Sequence, residues 1–392
     1  PELVAAPDLR PGYVTADPAS PVGIERALSR AGDLTGTFDK PRYITFRQDL
    51  CAHARSRITG CTRCLDLCPA GAIAPAGDHV AIDPMICAGC GQCAAVCPTG
   101  AASYEVPRAD LLMRKLRALL TAYRAAGGET PIVLLHDRDH GEALIDAAAR
   151  FGDGLPAHVL PLAVNEVTQV GLEAIAAAFA YGAAGLRLLT RAKPRHPLRG
   201  LEQTIVTANA IAGGVGYGAE AAGIVAADDP DELVSSLRRL QPGTVSPRPS
   251  TFMPLGAKRD VVKLALRELH RVAPAPIDTI TLPKGAAFGR VQVATAGCTL
   301  CLACVAACPT SALGDAQDRP LLKFDESLCV QCGLCSATCP EKVITLEPRL
   351  EFASFEAGYR TLKEEEPFCC TRCSKPFGAR STIERVIAKL QD

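Results

Sequence analysis

The sequence has no excess of charge of either sign. Over 392 residues, 42 Lys and Arg balance 42 Asp and Glu, so bulk electrostatics gives the chain no pull toward nucleic acid or an anionic membrane. It also lacks a run long enough to span a bilayer. The most apolar stretch, residues 174–186, is bounded by Glu173 and Arg187 and falls short of the ~20 apolar residues a crossing needs, so it reads as a buried helix. The opening residues carry no charged-then-apolar signal pattern. No Ser/His/Asp or Cys/His set suited to nucleophilic catalysis stands out. A phosphate-cradling loop is missing as well. The segment His136-Asp137-Arg138-Asp139-His140-Gly141 is acidic with one glycine, and Gly213-Gly214-Val215-Gly216-Tyr217-Gly218 follows a helical pattern rather than a strand. The second reads as a flexible loop, and no flavin or nucleotide is expected. His136 and His140 read as surface histidines, since no partner ligand stands at suitable spacing.

What the chain has is cysteine. Of its 19 cysteines, fifteen stand in four arrays ending in Cys-Pro, and a sixteenth, Cys51, precedes the shortest of them. Three arrays are regular: Cys87-Cys90-Cys93-Cys97-Pro98, Cys298-Cys301-Cys304-Cys308-Pro309 and Cys329-Cys332-Cys335-Cys339-Pro340. Their spacing is that of [4Fe–4S] binding in bacterial ferredoxins, in which the cysteine before proline ligates the neighbouring cluster. Disulfides do not call for three identical runs with proline, and zinc favours separated Cys-x-x-Cys pairs. The fourth array, Cys61-Cys64-Cys68-Pro69, has Ile58 where a leading cysteine should stand and Cys51 seven residues further upstream. Cys51 is expected to supply the missing ligand by way of a short excursion over residues 52–60. The crossing rule then predicts four ligand sets. They are Cys51, Cys61, Cys64 and Cys97; Cys68, Cys87, Cys90 and Cys93; Cys298, Cys301, Cys304 and Cys339; and Cys308, Cys329, Cys332 and Cys335.

These arrays organise the chain. Residues 1–42 read as a Pro/Asp/Gly-rich linker with one short helix near Gly23–Arg30, and the opening at Pro1 is what an internal piece of a longer polypeptide would show. A first two-cluster module occupies 43–106, with strands expected at 43–46, 72–74, 80–82 and 101–105. Residues 107–240 hold a helix and then strand-like runs at 132–135, 158–162, 186–189 and 224–226 alternating with helical patterns, which predicts a parallel sheet. This region has no cysteine. A linker and helix (241–284), a second two-cluster module (285–349, strands near 290–294, 321–324 and 343–346) and a tail (350–392) follow. The tail carries Cys369-Cys370-Thr-Arg-Cys373, in which Cys370 and Cys373 form half of a possible zinc site. The fold class is therefore α+β ferredoxin-like two-cluster modules flanking an α/β parallel-sheet domain.

Residues 51–105 and 298–347 resemble two-cluster bacterial ferredoxins. The centre, with Val164-Asn165-Glu166, Ile175–Phe179 and Tyr181–Gly185, resembles the delta-subunit domain of methyl-viologen-reducing hydrogenase and heterodisulfide reductase assemblies. Without that family's cysteines it cannot carry the [2Fe–2S] cluster. The whole, with its tail segment 372–383, is similar to multi-cluster ferredoxin-type proteins that accompany molybdenum formate dehydrogenases. That resemblance implies an electron-transfer subunit with four [4Fe–4S] clusters and substrate chemistry in a partner. The rival reading is a scaffold that matures an oxidoreductase. The basic residues Arg187, Arg191, Lys193, Arg195 and Arg199 read as a solvated loop, with docking of an acidic redox partner as the functional alternative. Cluster thiolates belong in a reducing compartment, so a cytoplasmic location is expected.

Overall fold

The computed structural model describes residues 14–37 and 39–391. The expectations for residues 1–13, including the opening at Pro1, lie outside them. Residues up to Pro41 form a unit by themselves. Its helix, Pro21–Gly32, starts where Ser20 Oγ accepts from the Gly23 amide at 3.1 Å with proline in the first turn, the arrangement that satisfies an otherwise orphaned N–H.

Residues from Arg42 onward form the second unit. Its centre is a four-stranded, wholly parallel sheet ordered Ala222–Ala226, Gly185–Thr190, Ile132–His136, Val159–Ala163. Ile132–His136 is buried at every residue, as a strand covered on both faces must be. The apolar run read as a buried helix divides in two. Leu172–Ala180 is a helix, and after a turn at Gly182 the chain enters the strand Gly185–Thr190. That helix packs between Ala109–Ala125 and Lys258–Arg271. The helix read as part of a linker is thus a wall of the central core, where Val261, Ala265, Leu266 and Leu269 are buried.

Three local readings need correction. His136 is not on the surface: it ends a core strand at 5% exposure. His140 is folded under as well, because Asp137 Oδ1 accepts from the His140 and Gly141 amides and turns the chain back, leaving His140 Nε2 3.1 Å from Asp228. The Gly213–Gly218 segment closes the helix Arg199–Gly214, with Val215 and Tyr217 buried. A Cβ at Gly214 would meet Ile280 Cδ1 at 2.7 Å, so its glycine serves close packing.

The two cysteine-rich regions repeat one plan with different trim. In the first, Ile44–Phe46 pairs with Ala102–Tyr104 and Ile73–Ala76 with His79–Ile82, both antiparallel. In the second, Gly289–Val293 pairs with Ile344–Glu351 and Leu313–Asp315 with Leu321–Phe324. Each of these sheets gains a third strand, Thr279–Thr281 in one and Arg360–Glu364, from the tail, in the other.

Candidate iron–sulfur centres

The ligand loops share a backbone signature. In the array beginning at Cys87 the residues before and after the second cysteine, Gly89 and Gly91, both have φ +77°. The array at Cys298 places Leu300 (φ +51°) and Leu302 (φ +58°) there, and that at Cys329 places Gln331 (φ +54°) and Gly333 (φ +86°). Alternation with left-handed residues turns successive N–H groups inward to make an anion-binding concavity. Several thiols receive such amides. Backbone N–H groups of Gln92, Gln331 and Leu334 reach the sulfurs of Cys90, Cys329 and Cys332. Ala72 N–H donates to Cys68 Sγ at 3.3 Å and Ala102 N–H to Cys97 Sγ at 3.4 Å.

The incomplete array departs from this pattern. Ala54–Arg55 and Ile58–Thr59 form a hairpin turned by Ser56 and Arg57 at positive φ. Its pairing continues as Gly60 N–H donates to His53 O at 2.6 Å and Cys61 N–H to Ala52 O at 3.0 Å. Ala52 is thereby set opposite Cys61, which delivers the buried Cys51 to the array. Ile58 stays on the hairpin, paired with Arg55. The excursion expected over residues 52–60 is this hairpin.

The thiols gather in fours. Burial pushes Cys64 up to about 12, and the neighbouring thiols of Cys97, Cys61 and Cys51 add to it. One small cavity has Cys68, Cys87, Cys90 and Cys93 on its wall. A second has Cys298, Cys301, Cys304 and Cys339. Cys335 is raised by burial and then by Cys329, Cys332 and Cys308. Burial likewise raises Cys304 to about 12 and Cys329 to about 11. Thiols so placed give up their protons to a metal rather than to water. Among the described residues no three His, Cys, Asp or Glu side chains converge tightly enough for a single ion. Four separated, partly enclosed sulfurs with amides directed at them fit a cubane, which spreads its thiolates over four irons.

Cations lie where the two regions meet. Burial pulls the Arg259 guanidinium down to about 10, still charged at neutral pH. It donates to Ala287 O at 3.1 Å and Cys329 O at 2.8 Å, with the Phe288 ring 4.0 Å away. Arg63, two residues after Cys61, donates to Ala286 O at 3.1 Å. Lys258 donates to the carbonyls of Ala94 and Ala95, at the end of the short helix carrying Cys93. Nothing in the spacing of these residues marks them, because each reaches its cysteine loop from a distant segment or across the interface.

The remaining candidates separate. Arg187 donates to the carbonyls of Leu186, Ala221 and Glu220, bracing the sheet, and Arg195 pairs with Asp139 at 3.0 Å. The basic group is therefore smaller than its sequence suggests. In the tail, Pro367–Cys369 and Pro376–Ala379 form a hairpin. At its turn the amides of Arg372 and Cys373 hold the Cys370 thiol below its usual range. Cys370 and Cys373 thus share one turn, with no further ligand joining them among the described residues.

Among the described residues no helix is long and apolar enough to cross a membrane. The chain matches no curated protein. Residues 34–101 match a family described as a 4Fe-4S dicluster domain, and residues 297–344 match a second family of the same description. Two segments of the chain thus match 4Fe-4S dicluster domains of ferredoxin type, which support an iron–sulfur electron-transfer role.

Proposed function

We propose that this protein relays single electrons through four [4Fe–4S] clusters held by the four cysteine sets named above, with Cys51 completing the first. Each bound cubane supplies a one-electron couple. The cysteines fix the positions of the clusters, the amides and Thr hydroxyls near Cys97 and Cys308 adjust their potentials, and buried apolar residues such as Leu300, Val330 and Leu334 keep water off. Substrate chemistry belongs to a redox partner. The resemblance of the whole chain points to a molybdenum formate dehydrogenase, in the reducing cytoplasm. The observation that supports the reading is that thiols from two different arrays line each of two small cavities, Cys68 with Cys87, Cys90 and Cys93 in one and Cys339 with Cys298, Cys301 and Cys304 in the other.

Anaerobically purified protein is expected to hold about sixteen iron and sixteen acid-labile sulfide per chain and to take up electrons reversibly in a titration followed by EPR. A ceiling near eight iron removes one pair of clusters from the proposal. Clusters that never change oxidation state would instead favour the scaffold.

A further inference from the structure

We propose that electrons cross between the two dicluster regions where Cys61 faces Cys332, and that Arg63 and Arg259 hold this crossing at a higher potential than the outer ends of the relay. This rests on the reading of the arrays as four cubanes.

The order of the relay follows from proximity. Within the first region the helix Arg63–Leu67, which carries Cys64, packs against Gln92–Val96, which carries Cys93, and within the second Ala303–Ala306, with Cys304, packs against Leu334–Thr338, with Cys335. Each of these pairs joins the two sites of one region. Between regions, the strand Ile58–Thr59 packs against the helix Leu334–Thr338, which brings Cys61, two residues past that strand, toward Cys332, two residues before that helix. The sequence of sites is then Cys68/87/90/93, Cys51/61/64/97, Cys308/329/332/335, Cys298/301/304/339. Gly60 sets the closeness of the joint. A Cβ there would lie 2.6 Å from Leu334 Cγ and 3.1 Å from Ala52 O.

The joint also differs in its charge: Lys258 and Lys363, beside the outer sites, lie 3.7 Å from Glu173 and 2.7 Å from Glu365, whereas Arg63 and Arg259 grip carbonyls alone. Arg63 stands two residues after Cys61 and reaches across to Ala286 O at 3.1 Å. Arg259 grips the Cys329 carbonyl at 2.8 Å, binding carbonyls rather than a carboxylate. A fixed cation favours whichever neighbouring group gains negative charge, so electrons arriving from either end settle at the middle pair. At each crossing one side loses one electron and the other gains it, with no proton or bond exchanged. The one-electron donor and acceptor at the ends are partner redox proteins.

The test is a dithionite-driven potentiometric titration of the full holoprotein followed by EPR, comparing Arg63→Gln, Arg259→Gln and Arg259→Lys. Either Gln variant is expected to move the steps of the middle sites to lower potential, each by about tenfold in its reduction equilibrium, which is about 59 mV for one electron. The other two steps should stay in place, and Arg259→Lys should keep the unsubstituted values. Four unmoved steps, or four that move alike, overturn the proposal, as does a Lys variant with full iron that shifts as far as the Gln variant. Should Arg259→Gln lose iron, Arg63→Gln carries the same comparison. A second measurement reads the spin–spin interaction between regions. Gly60→Ala should weaken it and Gly60→Ala with Leu334→Ala should restore it, while an interaction indifferent to Gly60→Ala sinks the joint. Shortage of iron in the unsubstituted protein overturns the four-cluster reading itself, whereas full iron with unmoved steps overturns only the crossing.

Discussion

At the position after the second cysteine of a regular array, the first dicluster region has Gly91 and the second has Leu302 and Gly333, all left-handed. A Cβ at Gly91 would lie 2.5 Å from Gln169 Cβ and 2.8 Å from its Cα, whereas one at Gly333 would meet nothing within 4 Å. The same contrast holds two residues earlier, where the Tyr43 ring would lie 2.9 Å from a Cβ at Gly89, while the second region places Leu300 and Gln331 at that position. The first region is pressed against its surroundings at the ligand loop and needs glycine for room as well as for conformation. Its counterpart is braced instead at its sheet edges, and there the left-handed positions tolerate leucine at a conformational cost of order 1–3 kcal/mol each.

The sharpest way to break the comparison is at the irregular array. Cys51→Ala should remove a cluster or convert it to a three-iron species, a loss of one to about four iron per chain, with the signals of the second region intact. An unchanged iron count and EPR spectrum would show that Cys51 is no ligand. Placing the cysteine at the regular position, Cys51→Ala with Ile58→Cys, should fail to restore the iron, because residue 58 is held on the hairpin opposite Arg55. Recovery of full iron would mean that the hairpin yields and the two regions are more alike than drawn.

Next in size is the glycine pair. Gly91→Ala should cost about 3 kcal/mol, combining overpacking against Gln169 with left-handed strain, and Gly333→Ala only about 1 kcal/mol from strain alone. Chemical unfolding followed by the bleaching of cluster absorbance gives both values, and equal costs would contradict the account of the surroundings.

The smallest effect belongs to Glu166, whose neighbours Asn165 and Thr168 reach Tyr104 and Cys90 of the first region. Burial, and then Asp137, raise its carboxyl from 4.5 to about 7. The folded state therefore holds a proton that the unfolded state has released between those values, and this group's contribution to stability falls as pH rises from about 4.5 to about 7. Glu166→Gln should flatten that part of the profile of thermal stability against pH. A profile that keeps its slope shows that Glu166 is not its source.

The two dicluster domains could be read in the sequence because a tight ligand loop leaves a local cysteine spacing. The central strands were legible for a similar reason, since a doubly covered parallel strand is a short continuous apolar run. What stayed hidden depends on distant partners. Arg259 reads as one charge in a polar helix start, and only the approach of Phe288 and Cys329 gives it a role. His140 looked exposed because the capping of its turn by Asp137 and its approach to Asp228 leave no periodic trace. The Lys258–Arg271 helix, read with a linker, owes its place to the helix Leu172–Ala180, buried from Glu173 onward, whose largely apolar surface demands cover on several sides.

The tail strand Arg360–Glu364 has a consequence for how copies of the chain behave together. It occupies the outer edge of Leu321–Phe324, and Lys363 reaches back to the Thr295 and Cys298 carbonyls. A chain cut before Arg360 would present a short, strongly apolar strand with unpaired N–H and C=O groups, a ready template for a second copy. Self-association of such a fragment would be the first sign of damage at this end of the chain.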